Sequence, residues 1–419
     1  MANADSVEEL LKKTPKEPDF VIDGIHFGRG GSYYDENTST HLRHKTTEVK
    51  CWRIVGEKLE AIESKNEFFS SETYIVRWKS NTEYLRFEEV LSTRDNEIYF
   101  YWKGEDAPKG HSPLPECIEK DNPPVERIVQ WAEPPAFLQL FSGKFVVHIG
   151  KHSLLSKAPH LYILRGELEE ELHLYELPLK RGNLRSRTSF VVFNPDEKSS
   201  IIWHGKNSNA HCKESIRKAT EKIFGPKYTE ITEGSENDKL IYLVENEDCF
   251  NAPLKLIDYT PRLFYFNKIT GSFLTTEIDC SHNSSHITPF PFLQSHLYTP
   301  EQPAIFLLDD NDEIWIWYGW DQDEDDGFKT ECFIMAINYA KQKSKNIKRL
   351  VKLQKVIAGF EPDSFTHLFP VWQKRQDIAQ LQEKVGIEDS AFSFCCKAGV
   401  LLSANPLIEV ISPEEAPDT

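Results

Sequence analysis

At 419 residues the chain is long enough for about three domains of roughly 150 residues each. Its hydrophobic (39%) and aromatic (12%) contents supply packed cores and exclude general disorder. Lysine and arginine total 49 against 66 acidic residues, a net charge of −17, which excludes a protein whose whole surface cradles a phosphate backbone but leaves room for a local basic face.

No apolar run reaches the roughly 18 residues that span a bilayer. The opening MANADSVEELLKK is polar, without a signal-peptide core. The eight cysteines (51, 117, 212, 249, 280, 332, 395 and 396) follow no metal-ligand spacing and read as reduced thiols of a cytosolic protein. Transmembrane, secreted and disulfide-stapled classes are therefore set aside.

From the N-terminus, residues 1–48 read as an extended arm. Lys12 to Pro18 is charged and proline-broken, and Gly24 to Gly31 holds four glycines. Domain-like texture begins near Val49. From there an internal repeat dominates. Three apolar openings recur, at Cys51–Ile54, Leu161–Leu164 and Leu263–Phe266. Each is followed by a second apolar strand (Thr73–Trp78, Ser189–Phe193, Ala304–Leu308) and a third, aromatic-rich one closed by Gly104, Gly205 or Gly319. Runs so short and apolar suit strands buried on both faces.

A second signature closes two of the units. Glu133–Phe141 (EPPAFLQLF) and Glu361–Phe369 (EPDSFTHLF) both fit E-P-x-x-F-x-x-L-F, and the middle unit has only the remnant EGSE at Glu233–Glu236. Between the glycine-closed strand and this motif the periodicity predicts helices. Asn209–Ile223 places Ile216, Ala219 and Ile223 on one face, and Phe328–Lys345 does the same with Cys332, Met335, Ala336 and Tyr339. In the first unit the same place, from Ala107 to Pro124, holds five prolines, which forbid a long helix.

Chemistry-bearing clusters are few. No G-x-S-x-G, Walker, Rossmann or H-E-x-x-H pattern occurs, so no enzyme is expected. His148 and His152 have metal-like spacing without a third ligand nearby; His41 and His44 read as exposed residues of the arm. The acidic run Asp321–Gly327 misses the EF-hand pattern, because its glycine falls seventh and Cys332 twelfth; it reads as a solvated acidic turn. Vicinal Cys395 and Cys396 read as thiols of a tail that folds back on the third unit, with S-palmitoylation as the alternative. Two basic clusters stand out: Lys341, Lys343, Lys345, Lys348, Arg349, Lys352 and Lys355, with no acid among fifteen residues, and Lys180, Arg181, Arg185 and Arg187 before a core strand. Each is either an ordinary solvated face or a surface for anionic lipid.

Together the repeated features resemble the gelsolin/villin superfamily, whose repeats open on a W-R or L-Y strand, run to a strand ending W-x-G and close on G-x-E-P-x-x-F. The resemblance covers Val49 to about Gln373. It implies an α+β fold of three tandem gelsolin-like repeats, each a central mixed β-sheet flanked by a long and a short helix. The repeats would span 49–157 (long helix degraded), 158–258 and 259–380, between the arm (1–48) and a tail (381–419). Further stretches, among them DGIHFGRG (23–30), LRSRTSFVVFN (184–194) and AGFEPDSFTHLFPVWQKRQDIAQ (358–380), resemble a superfamily member that links actin filaments and myosin to the cytosolic face of the plasma membrane. A villin headpiece, expected after about residue 380, is not recognisable in SFCCKAGVLLSANPLIEV.

The resemblance also implies a calcium cage in each repeat, built from an acidic residue entering the second strand and a glutamate in the long helix. The matching positions are Glu72 in the first unit, Thr188 and Ser215 in the second, and Ala304 and Phe328 in the third. With both acids missing in two units, weak or absent calcium activation is expected, and no metal or cofactor. The lysine-rich segment between the family's first two repeats is matched by Ser142–Ser153, with only Lys144 and Lys151 as fixed cations. The expected function is a non-enzymatic scaffold of cytoplasm and cytoskeleton at the cytosolic face of the plasma membrane. It would bind actin and actin-associated proteins through sheet edges or helix grooves, and anionic phosphoinositides through the two basic clusters, with no nucleic acid and no membrane span. The alternatives are a gelsolin-type severing or capping protein and a pure protein-docking module.

Overall fold

The computed structural model describes residues 7, 8, 10, 11, 20–56, 58–62, 66–108, 123–236, 240, 259–269, 272–278, 290–320, 326–384, 393–397 and 400–403. Those between 20 and 240 form one compact unit; those from 7 to 11 and from 259 onward form another.

The first unit opens with β1 (Phe20–Ile22) and β2 (Ile25–Phe27), joined by a two-residue turn in which Asp23 and Gly24 both have positive φ, 52° and 71°. That is the geometry Asp-Gly supplies in a tight hairpin. β3 (Ser32–Asp35) pairs with the 16-residue β4 (Thr40–Val55), which pairs with β7 (Thr73–Arg86), then β8 (Glu89–Lys103) and finally β9 (Val125–Val129); β5 (Lys58–Ala61) flanks β4. The stretch read as an extended arm is thus built into this unit from Phe20 onward. Phe27 meets Trp78 at 5.1 Å and Phe20 meets Phe100 at 6.1 Å between ring centroids, so the β1–β2 hairpin covers aromatic side chains that would otherwise face water. His44, far from exposed, is enclosed between Thr82 Oγ1 (2.9 Å) and the His26 carbonyl (3.0 Å), and burial holds its imidazole down to about 4.

A second sheet follows in the same unit, in the order β15–β14–β13–β11–β12–β10–β6. Its strands are β6 (Glu67–Phe69), β10 (Phe145–His148), β11 (His160–Arg165), β12 (His173–Leu177), β13 (Ser189–Asn194), β14 (Ser199–His204) and β15 (Tyr228–Thr232). Helix α2 (Ala210–Phe224) covers one face, burying Cys212, Ile216 and Ala219, while the short α1 (Pro135–Leu138) precedes β10. The Asn209 side chain accepts from the Cys212 amide and caps α2; Gly225 at φ 95° ends it.

The other unit holds a seven-stranded sheet in the order β17–β16–β18–β19–β20–β21–β22. Its strands are β16 (Arg262–Ile269), β17 (Ser272–Glu277), β18 (Ile305–Asp310), β19 (Glu313–Tyr318), β20 (Val351–Ile357), β21 (Ser393–Lys397) and β22 (Val400–Ser403). The 22-residue α4 (Asp326–Ile347) packs on one face; the short α3 (Gln294–Tyr298) and α5 (Asp363–Thr366), with α6 (Gln376–Lys384), belong to the other. The tail returns to the sheet, β21 pairing antiparallel with β20 so that Cys395 lies opposite Lys352 and Cys396 opposite Val351. A strand added there removes an open row of backbone donors and acceptors.

One pattern recurs three times. In β4–β7–β8, β11–β13–β14 and β16–β18–β19, three antiparallel strands are followed by a parallel neighbour, β9, β15 or β20. A parallel neighbour needs a crossover, and α2 and α4 provide it in the second and third copies. In the first copy the proline-rich crossover, with the expectation of a shortened helix, lies outside the described residues.

Candidate functional site

Each copy is closed by the same hydrogen bond. Trp102 donates its indole N–H to Glu133 Oε1 at 2.7 Å, Trp203 to Glu236 Oε1 at 2.9 Å, and Trp317 to Glu361 Oε1 at 3.0 Å. The middle copy, where only a remnant of the closing motif is readable, therefore retains its working atom. In the first two copies the glycine two residues after the tryptophan is required by close approach of backbone: a Cβ at Gly104 would sit 2.1 Å from the Ser70 carbonyl oxygen, and one at Gly205 2.3 Å from that of Ser186. In the outer copies a tyrosine adds a second donor to the glutamate, Tyr175 to Glu133 and Tyr298 to Glu361. Burial raises the Glu133 carboxyl, and the hydrogen bonds from Tyr175 and Trp102 oppose that rise.

The three glycines also bring the candidate calcium positions into register. Gly104, Gly205 and Gly319 donate their amides to the carbonyls of Glu72 (3.1 Å), Thr188 (3.0 Å) and Ala304 (2.8 Å). Glu72 is already engaged: it accepts from the Tyr74 hydroxyl (2.6 Å) and the His152 amide (3.1 Å) and pairs with Arg53 (3.4 Å). Thr188 is buried, its hydroxyl 3.5 Å from the thiol of Cys212. The helix residue facing Thr188 is thus Cys212, seven residues after Gly205, rather than Ser215. Ala304 is buried and Phe328 packs against the apolar face beneath α4. A thiol, a hydroxyl and hydrocarbon do not fit a hard-oxygen calcium cage. Among the described residues no three His, Cys, Asp or Glu side chains group to hold a metal.

The basic clusters are less uniform than their sequence suggests. Lys343 is 3% exposed and belongs to the core: its ammonium contacts Asp309 Oδ1 and Oδ2 at 2.5 and 2.6 Å and Tyr259 Oη at 3.0 Å. Arg185 and Arg187 are also buried, Arg185 donating to the carbonyls of Gly182 (2.5 Å) and Leu184 (3.0 Å). These three do not face a ligand, because their charge is spent inside. Lys355 is half-buried over the Tyr318 ring at 5.2 Å, and burial lowers its ammonium. It lines a cavity of about 360 Å³ shared with Trp372, Lys374 and Arg375. Arg349 pairs with Asp312 (3.0 Å) and Lys352 with Glu313 (3.4 Å). Lys345 and Lys348 are exposed at the end of α4, and Lys341 is partly so. In the other cluster Arg181 is exposed and Lys180 partly exposed.

His148 and His152 both pack on the Phe69 ring, His148 stacked at 4.9 Å between centroids. His148 Nδ1 lies 3.1 Å from Tyr162 Oη and 3.6 Å from Glu176, whose other oxygen is 2.6 Å from His160 Nδ1. His152 sets its ring edge-on to Phe69 at 5.4 Å. Despite burial, contacts from His148 and His160 hold Glu176 at about 2, while Glu176 raises His160. His160 and Glu176 carried no motif; only the fold joins them. The acidic run lies outside the described residues up to Asp325. Ser142–Ser153 divides into the buried β10 and an exposed loop that presents Ile149 and leads into Leu154 and Leu155.

Three α+β copies, each closed by a Trp–Glu bond after a W-x-G strand, are gelsolin-like repeats. The chain is similar to supervillin of Bos taurus, with 28% identity over 455 residues covering 94% of this chain and 20% of that protein. It is likewise similar to a gelsolin of Xenopus laevis, with 25% identity over 343 residues covering 77% of this chain and 76% of the relative. The chain thus spans about a fifth of the length of the supervillin it matches. A crystal structure of a Thorarchaeota 2DGel3/rabbit actin complex matches 48% of this chain and 100% of that chain at 16% identity, with a TM-score of 0.17. No protein-family model matches the chain. No helix among the described residues is long and apolar enough to cross a membrane.

Proposed function

We propose that this chain is a non-enzymatic, actin-binding scaffold of the supervillin type, working without a calcium switch and without severing filaments, at the cytosolic face of the plasma membrane. The observation that carries the reading is the contrast inside each repeat. The Trp–Glu closure is present three times, while the positions matched to calcium ligands hold an engaged glutamate, a buried threonine facing a thiol, and an alanine. Similarity to supervillin and gelsolin supports actin and actin-associated proteins as partners. Lipid contact falls to the exposed Lys345 and Lys348 with Lys341, Arg349 and Lys352 beside them, and separately to Lys180 and Arg181. Each cation near an anionic surface contributes about 1 kcal/mol.

The test is one sedimentation series with actin filaments and with PI(4,5)P₂ liposomes, in calcium and in chelator. Co-pelleting with both, unchanged by calcium and without filament shortening, is the expected result. Calcium-dependent loss of filaments from the pellet would replace this reading with a gelsolin-type severing protein. Pelleting with neither would leave a pure protein-docking module.

A further inference from the structure

Val7, Leu10 and Leu11, ahead of β1 in the chain, pack in the third repeat. Residues 7, 8, 10 and 11 are helical, and Val7 (3% exposed) and Leu10 (7% exposed) join the apolar cluster that holds Phe264 and Phe266 of β16 and Met335 and Tyr339 of α4. Leu11 packs against the same cluster. The spacing i, i+3, i+4 puts all three on one helical face, with Glu8 outward.

The contact also has a polar anchor. Arg262 donates from Nη2 to the Leu10 carbonyl at 2.8 Å. Its guanidinium is held for that purpose from the other side, with Nε and Nη2 on Glu277 at 2.7 and 2.8 Å and its plane 4.9 Å from the Phe264 ring. Apolar floor and oriented arginine form a receptor for a helix.

We infer that this face of the third repeat is a helix-docking groove, and that Val7, Leu10 and Leu11 are its resident, exchangeable ligand. Most helical stability in proteins comes from packing an apolar face rather than from propensity, so the groove stabilises this helix. It belongs to the same chain as its groove, so it competes intramolecularly with any free helix. The resident excludes competitors by proximity rather than by tight contact. A partner that displaces it presents the same chemistry: apolar residues at i, i+3 and i+4, with acidic residues between them. The inference is independent of actin or lipid binding.

The experiment uses the full chain, unaltered and as the double variant Val7→Asp/Leu10→Asp, titrated with a fluorophore-labelled synthetic peptide of residues 1–16. An intramolecular ligand at an effective concentration of about 1 mM, against a peptide Kd of roughly 0.1 mM, weakens apparent binding by about tenfold. The variant should therefore bind the peptide about tenfold more tightly than the unaltered chain, and a peptide carrying both aspartates should bind neither. Equal binding to both chains, no binding to the folded variant, or binding of the aspartate peptide overturns the inference. Should the double variant fail to fold, hydrogen exchange on the unaltered chain decides. Amides of Glu8, Leu10 and Leu11 exchanging at least tenfold slower than in the free peptide support the docking, and exchange at the free-peptide rate refutes it.

Discussion

Lys343→Ala separates a core cation from a surface one. Asp309 has no exposed surface, and its carboxylate accepts from Lys343, from the Tyr259 and Tyr339 hydroxyls (2.7 Å each) and from the Asn311 amide (2.9 Å). Burial lowers the Lys343 ammonium and the Asp309 charge opposes that fall, so the two ionised groups depend on each other. Removing the lysine leaves a buried carboxylate with neutral donors only, and breaking such a pair costs about 3–5 kcal/mol. Spread over the third repeat, that corresponds to exchange roughly 10²–10⁴-fold faster for amides that open with β18 and α4. Hydrogen exchange by mass spectrometry on fragments from 259–357 reads this directly, and Lys345→Ala, at an exposed position three residues before Lys348, should leave the same fragments unchanged. Acceleration below about fivefold in Lys343→Ala would refute the buried-pair argument. Equal effects in both variants would mean the helix, not the charge, is being disturbed.

Three further outcomes follow from the same structure. Trp131 occupies the left-handed region at φ 75°, where the other copies have Gly234 and Gly359, so Trp131→Gly relieves about 1–2 kcal/mol of strain. It also removes a ring stacked on Tyr175 at 3.9 Å and bonded to Glu105 at 2.9 Å, worth about 3–5 kcal/mol, so denaturant titration should show a net loss of about 1–4 kcal/mol. Burial holds His173 down to about 3, so the unfolded chain binds the extra proton between there and about 6.5, and the first unit should lose stability as pH falls through that window. His173→Gln should flatten the slope; His160, raised by Glu176, runs the other way, its contribution complete below about 6.5 and lost as pH rises through its folded value. Finally, Lys345→Glu/Lys348→Glu should weaken PI(4,5)P₂ liposome binding by at least about 30-fold, two cations at about 1 kcal/mol each, with thermal unfolding unchanged. Undiminished pelleting would remove the end of α4 from the lipid surface.

What the sequence conveys here is governed by whether the signal is local. The strand triplets were legible because short apolar runs closed by glycine have few other uses, and the equivalence of Glu72, Thr188 and Ala304 is carried by one amide bond per copy. Two misreadings had a local remedy. Asp23-Gly24 between Phe20–Ile22 and Ile25–Phe27 is a hairpin signature inside what looked like an arm. Lys343 continues the stripe Cys332, Met335, Ala336, Tyr339 by four residues, so helical periodicity alone places it on the apolar face. Counting cations along the chain hid this. The pairing of His160 with Glu176, the burial of Arg185 and Arg187, and the seat of Val7 and Leu10 had no such remedy. Each depends on segments brought together only by the sheets.

The three copies also show which parts of a repeat can vary independently. The Trp–Glu bond links the end of the third strand to the segment after the parallel strand, so it fixes the crossover's two ends whatever lies between them. The middle copy shows how little of the closing motif this needs. Glu236 accepts from Trp203 and from the Gly234 amide, although the proline and phenylalanine that follow the glutamate elsewhere are absent. The ligand positions sit on the second strand and the helix, outside that closure. At Thr188 and Cys212 they have become ordinary core contacts, and in the third copy Ala304 and Phe328 belong to the apolar clusters on opposite faces of the sheet. Closure by side-chain hydrogen bonds gives each repeat a fixed frame without an ion. A metal would have to displace core contacts in the second and third copies, and Arg53 and Tyr74 from Glu72 in the first, rather than complete an open cage, which is the physical ground for expecting calcium to leave filament and lipid binding unchanged.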